Sequence, residues 1–114
     1  MAITEATRAG EFLLSEANGT RSREPITLTG GAFPAGQVLG KITASGKYTV
    51  YDPAVDPADG SETAAAILYE AVDASTADAT GVGVVRDAEV KGVLLTDNDA
   101  AGTAALAALG IIVR

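Results

Sequence analysis

Apolar and polar residues alternate along the middle of the chain in the manner of β-strands. Residues 26–29 (ITLT) alternate and are rich in β-branched side chains, which is typical of a half-buried strand. Residues 37–42 and 47–51 show the same kind of pattern, and Ser45-Gly46 between them is a turn signal. The sequence therefore predicts an early strand, and after it a hairpin made of the next two strands.

The second half of the chain has more uniform apolar runs. Residues 64–72 (AAAILYEAV) are ambiguous, because alanines favour a helix whereas the central Ile-Leu-Tyr favours a buried strand. The short length of this run and its strand neighbours favour a strand. After a polar loop at 73–81, residues 82–86 and 88–95 predict two more strands with a turn near Asp87.

The C-terminal part has the signals of a short helix. A short polar side chain within residues 97–99 (DND) can accept hydrogen bonds from the first free backbone N–H groups, and negative charge there suits the helix dipole. A helix is expected over residues 100–109, with Leu106 and Leu109 on one face, and Gly110 is placed to end it in a left-handed cap. Residues 111–113 (IIV) predict a final short strand.

The first 24 residues differ in character from the rest of the chain, and two interpretations stay open for them. They mix charges of both signs with small polar residues and contain one apolar group, Phe12, Leu13 and Leu14. One interpretation is an ordinary first strand or helix packed on the domain. The other is a flexible arm whose three apolar side chains become ordered on a partner, and this is the interpretation we carry forward. It divides the chain into an arm at 1–24 and a β-rich domain at 25–114.

Charge is distributed unevenly, and this bears on possible partners. The net charge is −7, and residues 52–99 alone carry eleven Asp and Glu against two basic residues. Such a region repels phosphate backbones and anionic lipids, so neither nucleic acid nor a membrane is an expected partner. No apolar stretch reaches the ~18 residues of a spanning helix, and no hydrophobic signal region follows Met1.

Candidate chemical groups are few. The chain has no Cys and no His, which removes thiol chemistry and the usual general base near neutral pH. Asp52, Asp56, Asp59 and Glu62 supply oxygens that suit calcium, but their spacing does not match a helix-loop-helix calcium loop. We therefore predict no catalytic residue, no metal site and no cofactor. An enzyme such as a small trimeric nucleotide hydrolase is disfavoured. A stand-alone β-rich binding or adhesion module stays open as a functional class.

Several segments, in their order along the chain, resemble the head decoration proteins of the bacteriophage lambda protein D family. The similar segments are AGQVLG at 35–40, SGKY at 45–48, YDP at 51–53, DGS at 59–61, AIL at 66–68, VVRDAEV at 84–90 and GIIVR at 110–114. Each segment is ordinary turn or strand sequence, so the resemblance rests on their order. It covers nearly the whole chain from about residue 11.

The resemblance implies a non-enzymatic protein of the phage virion, made in the host cytoplasm. Members of that family assemble as homotrimers on the outer surface of the expanded head, at three-fold and quasi-three-fold positions, and bridge major capsid subunits. Their N-terminal arm orders against the shell, which would make Phe12, Leu13 and Leu14 capsid-binding residues here. Replacing the three with serine is then expected to weaken capsid binding and leave the body folded. The predicted fold is mainly β, a small β-clip-like barrel or sandwich with one short C-terminal helix and a flexible N-terminal arm.

Overall fold

The computed structural model describes residues 8–19, 21–55 and 57–114. It is mainly β, as predicted, with one α-helix, α1 (Ala100–Ala108), near the C-terminus. A short 3-10 helix, Gly92–Leu94, precedes α1. The strands are β1 (Leu13–Glu16), β2 (Arg23–Leu28), β3 (Gly31–Phe33), β4 (Val38–Lys41), β5 (Tyr48–Val50), β6 (Ala64–Leu68), β7 (Val72–Ala74), β8 (Ala79–Val84), β9 (Ala88–Val90) and β10 (Ile111–Val113).

Five strands close into a barrel in the order β2-β5-β4-β6-β8. The predicted hairpin is confirmed, because β4 and β5 pair antiparallel with Leu39 opposite Val50. The longest pairing joins β2 to β8, with Arg23 opposite Val84 at one end and Leu28 opposite Ala79 at the other. Closure leaves these strands without open edges, and an open edge is where a small sheet pairs with other chains.

Two glycines of β8 make room for the barrel core. A Cβ atom at Gly81 would lie 2.8 Å from Cδ1 of Leu28, and one at Gly83 would lie 2.8 Å from Cδ1 of Ile26. Ile26 and Leu28 are buried. The glycines therefore serve packing, since a glycine inside a strand often marks a close approach of neighbouring side chains.

In the ambiguous run at 64–72, β6 covers the first five residues, and β7 begins at the last residue, Val72. β6 contributes Ala66 and Leu68 to a hydrophobic cluster of the barrel. Ala64 and Ile67 of the same strand belong to a second cluster, which also contains residues of β9, β10 and α1. Because both faces of β6 are buried, its sequence is uniformly apolar and shows no alternation.

A three-stranded sheet, in the order β1-β9-β10, lies beside the barrel. β1 pairs antiparallel with β9, and β10 pairs parallel with β9. α1 packs against β6 and β10, and its Leu106 is fully buried in the second cluster. Leu109, predicted to share that face, is the C-cap residue and is partly exposed, because the helix ends there.

Three local expectations need correction. Residues 73–81, predicted as a loop, contain the end of β7 and the start of β8. The strand expected over 88–95 stops at Val90, because the chain turns into the 3-10 helix. In addition, β3 was not predicted from its glycine-rich sequence; it pairs with β7, with Gly31 opposite Ala74. β3 and β7 contain three residues each, which is too few for a clear alternation pattern.

Candidate interaction surface

The three apolar residues of the predicted arm lie in different environments. Phe12 is fully buried and belongs to the second hydrophobic cluster. Leu13 is partly buried and packs against that cluster, whereas Leu14 is 47% exposed. Serine at position 12 would place a hydroxyl in the core, so the expectation that the triple substitution leaves the body folded needs correction. Capsid contact by this segment stays a prediction. Of the three residues, Leu14 is the one whose side chain is exposed.

Backbone hydrogen bonds attach this segment to the body. The Gly10 N–H donates to the Tyr69 carbonyl at 3.0 Å, and the Lys91 N–H donates to the Phe12 carbonyl at 2.8 Å. Gly10 has a φ of +67° and sits against the Tyr69 ring, where a Cβ would lie 2.7 Å from a ring carbon. Residues 10–16 therefore favour the interpretation of an ordinary strand packed on the domain. Residues 1–7 of the predicted arm lie outside the described residues.

A charged side-chain group also holds β1. The Arg23 guanidinium donates to Glu16, with Nε 3.0 Å from Oε2. The same guanidinium lies over the Tyr69 ring, 4.0 Å from its centroid, in a cation–π arrangement. The hydrogen bond to Glu16 raises the pKa of Arg23. The arrangement joins β1, β2 and the residue that follows β6. The sequence did not indicate it because Tyr69 is far from Glu16 and Arg23 along the chain.

A β-bulge in β1 turns Leu14 outward. Leu13 lies opposite Val90 and Ser15 opposite Glu89, so Leu14 is the extra residue between them. Ile112 of β10 also lies opposite Glu89, and its side chain is 40% exposed. Residues directly opposite one another in a sheet share a face. Ser15, Glu89 and Ile112 therefore share one face of the β1-β9-β10 sheet, and Leu14 is exposed at the bulge next to Ser15.

Val93 is a further exposed apolar residue, and it lies beyond the end of the central strand β9. It lies in the 3-10 helix that follows β9 and is 89% exposed. The N–H of neighbouring Gly92 donates to the Arg114 carbonyl at 3.0 Å, which places this helix beside the C-terminal end of β10. We call Leu14, Val93 and Ile112 the apolar patch. Among the described residues, the other exposed large hydrophobic side chains are Val82 and Leu109.

The acidic loop uses its carboxylates for local turns. The Ala54 N–H donates to Asp52 at 2.9 Å, and the Gly60 N–H donates to Glu62 at 2.7 Å. Asp59 accepts from the N–H and the hydroxyl of Ser61, and these bonds lower the pKa of Asp59. Asp56 lies outside the described residues. In the part of the chain that the structure describes, no group of three or more Asp or Glu is arranged to hold a metal ion.

The predicted N-cap of α1 is confirmed and has an additional partner. Asp99 Oδ1 accepts from the Gly102 N–H at 2.7 Å, and also from the Tyr51 hydroxyl at 2.7 Å. Burial, followed by this bond to Asp99, raises the pKa of Tyr51 to about 12. The Gly102 and Tyr51 bonds lower the pKa of Asp99. Tyr51 thereby ties the end of the barrel hairpin to the start of the helix.

Tyr51→Phe is expected to reduce the free energy of unfolding at neutral pH by about 1.5–3 kcal/mol, the range for a hydrogen bond to a charged group. The raised pKa of Tyr51 favours the neutral hydroxyl in the folded state. Its stabilisation is therefore complete below the ordinary tyrosine pKa of 10 and is lost as pH rises through about 12. Urea unfolding at pH 7 and at several alkaline pH values would measure both effects.

Tyr48→Phe is the matched control for the neutral measurement, because it removes a hydroxyl that is not bonded to Asp99. Equal losses of stability in the two variants at pH 7 would contradict a specific contribution of the Tyr51–Asp99 bond.

Ion pairs engage most of the basic residues. Lys47 lies 2.5 Å from Asp78, Arg21 lies 3.5 Å from Asp87, and Arg86 pairs with Glu24. Arg114 and Arg23 also pair with carboxylates.

Within the described ranges, no helix has the length and apolar character to cross a membrane.

Comparison with known families identifies a family that matches this chain. The model of the family described as bacteriophage lambda head decoration protein D matches residues 2–111 of the 114-residue chain. Among curated proteins, no sequence matches this chain significantly. The family match spans β1 to the start of β10 and includes every segment that carries the resemblance, except the end of the last one. The chain therefore belongs to the bacteriophage lambda head decoration protein D family.

Proposed function

We propose that this protein binds as a homotrimer to the outer surface of an expanded phage head, at three-fold and quasi-three-fold positions, and there bridges adjacent major capsid subunits. The observation that carries the proposal is the family match over nearly the whole chain. Head decoration is a structural role, which agrees with the scarcity of candidate catalytic groups in the sequence. Synthesis in the host cytoplasm belongs to the same proposal.

The apolar patch is the surface that we assign to the capsid. Large exposed hydrophobic side chains gathered in one place commonly mark a site of protein–protein interaction. Leu14 and Ile112 are exposed residues of one three-stranded sheet, and Val93 lies in the 3-10 helix that follows its central strand. Burying them against a capsid subunit would remove apolar surface from water, which is the dominant favourable term in protein association.

The segment before β1 is the second proposed contact. Among the described residues, β1 is an edge strand of its sheet. Residues 1–7, fully extended, would reach at most about 25 Å. An extended segment of this kind can add to the edge of a sheet in a neighbouring protein through backbone hydrogen bonds. The proposed arm is therefore shorter than residues 1–24.

Trimerisation would compensate for weak individual contacts. A short segment that orders on binding loses conformational entropy, which lowers the affinity of each contact. Three copies in one trimer raise the effective concentration of the remaining contacts once the first has formed. A trimer also matches the symmetry of a three-fold position on the shell.

The proposed function predicts selective binding to expanded heads. Purified protein would be mixed with expanded and unexpanded heads that lack decoration protein, and the heads would be sedimented and imaged by electron cryo-microscopy. We expect three-lobed density on the outside of expanded heads at three-fold and quasi-three-fold positions. Density made of single copies, or no binding to either kind of head, would overturn the proposal.

A variant that lacks residues 1–7 tests the arm in the same assay. We expect it to fold normally, because Phe12 and β1 are retained, and to bind expanded heads more weakly than the full chain. Undiminished binding would remove the arm from the proposal and leave the apolar patch as the remaining contact.

A further inference from the structure

The turn between β1 and β2 contains an exposed Asn-Gly pair. Asn18 and Gly19 are both exposed, and Gly19 has a φ of +67°. No atom outside the neighbouring residues lies within 4 Å of the position that a Cβ of Gly19 would occupy. The space beside Gly19 is therefore open, and the exposed side chain of Asn18 is next to the Gly19 backbone nitrogen in the chain.

Hydrogen bonding leaves the reacting groups of this pair available. Within the described ranges, no hydrogen bond holds the Asn18 carboxamide or the Gly19 N–H. Asn98 is held in a different way. Its Nδ2 donates to the Thr103 hydroxyl at 2.9 Å, its Oδ1 is buried, and the residue after it is the helix N-cap Asp99. These are the two asparagines of the chain, so they form an internal comparison.

We propose that Asn18 is a site of spontaneous deamidation, a modification independent of the proposed capsid function. The deprotonated backbone nitrogen of Gly19 attacks Cγ of Asn18 and forms an N–Cγ bond. The Cγ–Nδ2 bond breaks, and ammonia leaves with a proton from the solvent. Water then opens the resulting succinimide at either carbonyl, which gives aspartate or isoaspartate at position 18. Glycine favours the attack because it lacks a Cβ and permits the required backbone rotation.

The modification would change a turn that anchors β1. The Ala17 N–H donates to the Ser22 hydroxyl at 2.9 Å and to the Asp87 carbonyl at 3.2 Å, and Ser22 is fully buried. Both products add a negative charge to a turn that also contains Arg21, which pairs with Asp87. Isoaspartate also lengthens the main chain between two anchored residues. The turn thus carries a slow, irreversible chemical change at the end of the strand that presents Leu14.

Incubation of the folded protein at increasing pH, followed by peptide mapping with mass spectrometry, tests the proposal. We expect Asn18 to convert at least about tenfold faster than Asn98, which corresponds to about 1.4 kcal/mol in activation free energy. The rate at Asn18 should rise with pH, because the attacking nitrogen must lose its proton. Isoaspartate should be detected among the products at position 18.

Two controls make the result decisive. A free peptide of residues 15–21 gives the rate without the fold, and Gly19→Ala should slow conversion in the folded protein because the added methyl group restricts the backbone. Circular dichroism would verify that this variant is folded. The proposal is overturned if Asn18 in the folded protein converts no faster than Asn98 over a period in which the peptide converts completely.

Discussion

Phe12→Ala is expected to lower the free energy of unfolding by about 3–5 kcal/mol, the usual cost of removing a buried phenylalanine side chain. Phe12 is fully buried and packs with residues of the barrel, of the three-stranded sheet and of α1. Its loss would leave a cavity between these elements, which the surrounding structure closes only in part. Domains are typically stable by about 5–15 kcal/mol, so a loss of this size is a large fraction of the stability of a domain. Urea unfolding monitored by circular dichroism measures the effect.

Leu14→Ala is the matched control, because Leu14 lies two residues away in the same segment and is 47% exposed. Substitutions at exposed positions usually change stability by no more than about 0.5 kcal/mol. If Phe12→Ala unfolded at the same urea concentration as the unmodified protein, Phe12 would not be a core residue in solution. The interpretation of residues 1–24 as an arm separate from the domain would then be restored.

Replacing all three residues of the apolar patch with serine is expected to weaken binding to expanded heads by at least about a hundredfold. Fully burying a Val, Leu or Ile side chain contributes about 1.5–3 kcal/mol, and each 1.4 kcal/mol corresponds to a factor of ten in affinity. Partial burial of Leu14, Val93 and Ile112 suffices for this loss. The three positions are exposed in the described structure, so the variant should remain folded. A titration of heads with labelled protein, analysed by sedimentation, gives the affinity.

Val82→Ser combined with Leu109→Ser is the matched control, because these exposed apolar side chains lie in β8 and at the end of α1, outside the patch. We expect the control variant to bind heads as well as the unmodified protein. An equal loss of affinity for heads in both variants would refute the assignment of the apolar patch as the capsid contact.

Analytical ultracentrifugation of the patch variant in the absence of heads shows whether the apolar patch contacts the capsid or joins the subunits of the trimer. A variant that remains trimeric and fails to bind heads supports a capsid contact. A variant that becomes monomeric would show that the patch joins the subunits of the trimer, and the capsid assignment would be wrong.

Local sequence patterns were sufficient to predict several elements of the fold. The hairpin of β4 and β5 depends on alternation and on a tight turn at Ser45-Gly46, which are properties of neighbouring residues. The start and end of α1 depend on Asp99 and on Gly110, which has a φ of +83°. The ordered resemblance to the decoration family was also visible in the sequence, and the family match confirms it.

The apolar patch could not be predicted from local sequence patterns, because its residues come from distant parts of the chain. The sequence shows Phe12, Leu13 and Leu14 as one apolar group, and the bulge in β1 and its pairing with β9 are what separate the buried residues from the exposed one. Leu14 and Ile112 belong to one sheet because β9 pairs with both β1 and β10, and Val93 lies in the 3-10 helix that follows β9.

The sequence by itself determined the β class, the hairpin, the capped helix and the family, because each depends on neighbouring residues or on the order of short motifs. The tertiary structure decided that Phe12 belongs to the core, that five strands close a barrel and that Glu16, Arg23 and Tyr69 form one group. The physical reason is that burial and strand pairing depend on residues far away in the chain. A local pattern shows that a side chain is apolar, and only the packed structure shows what covers it.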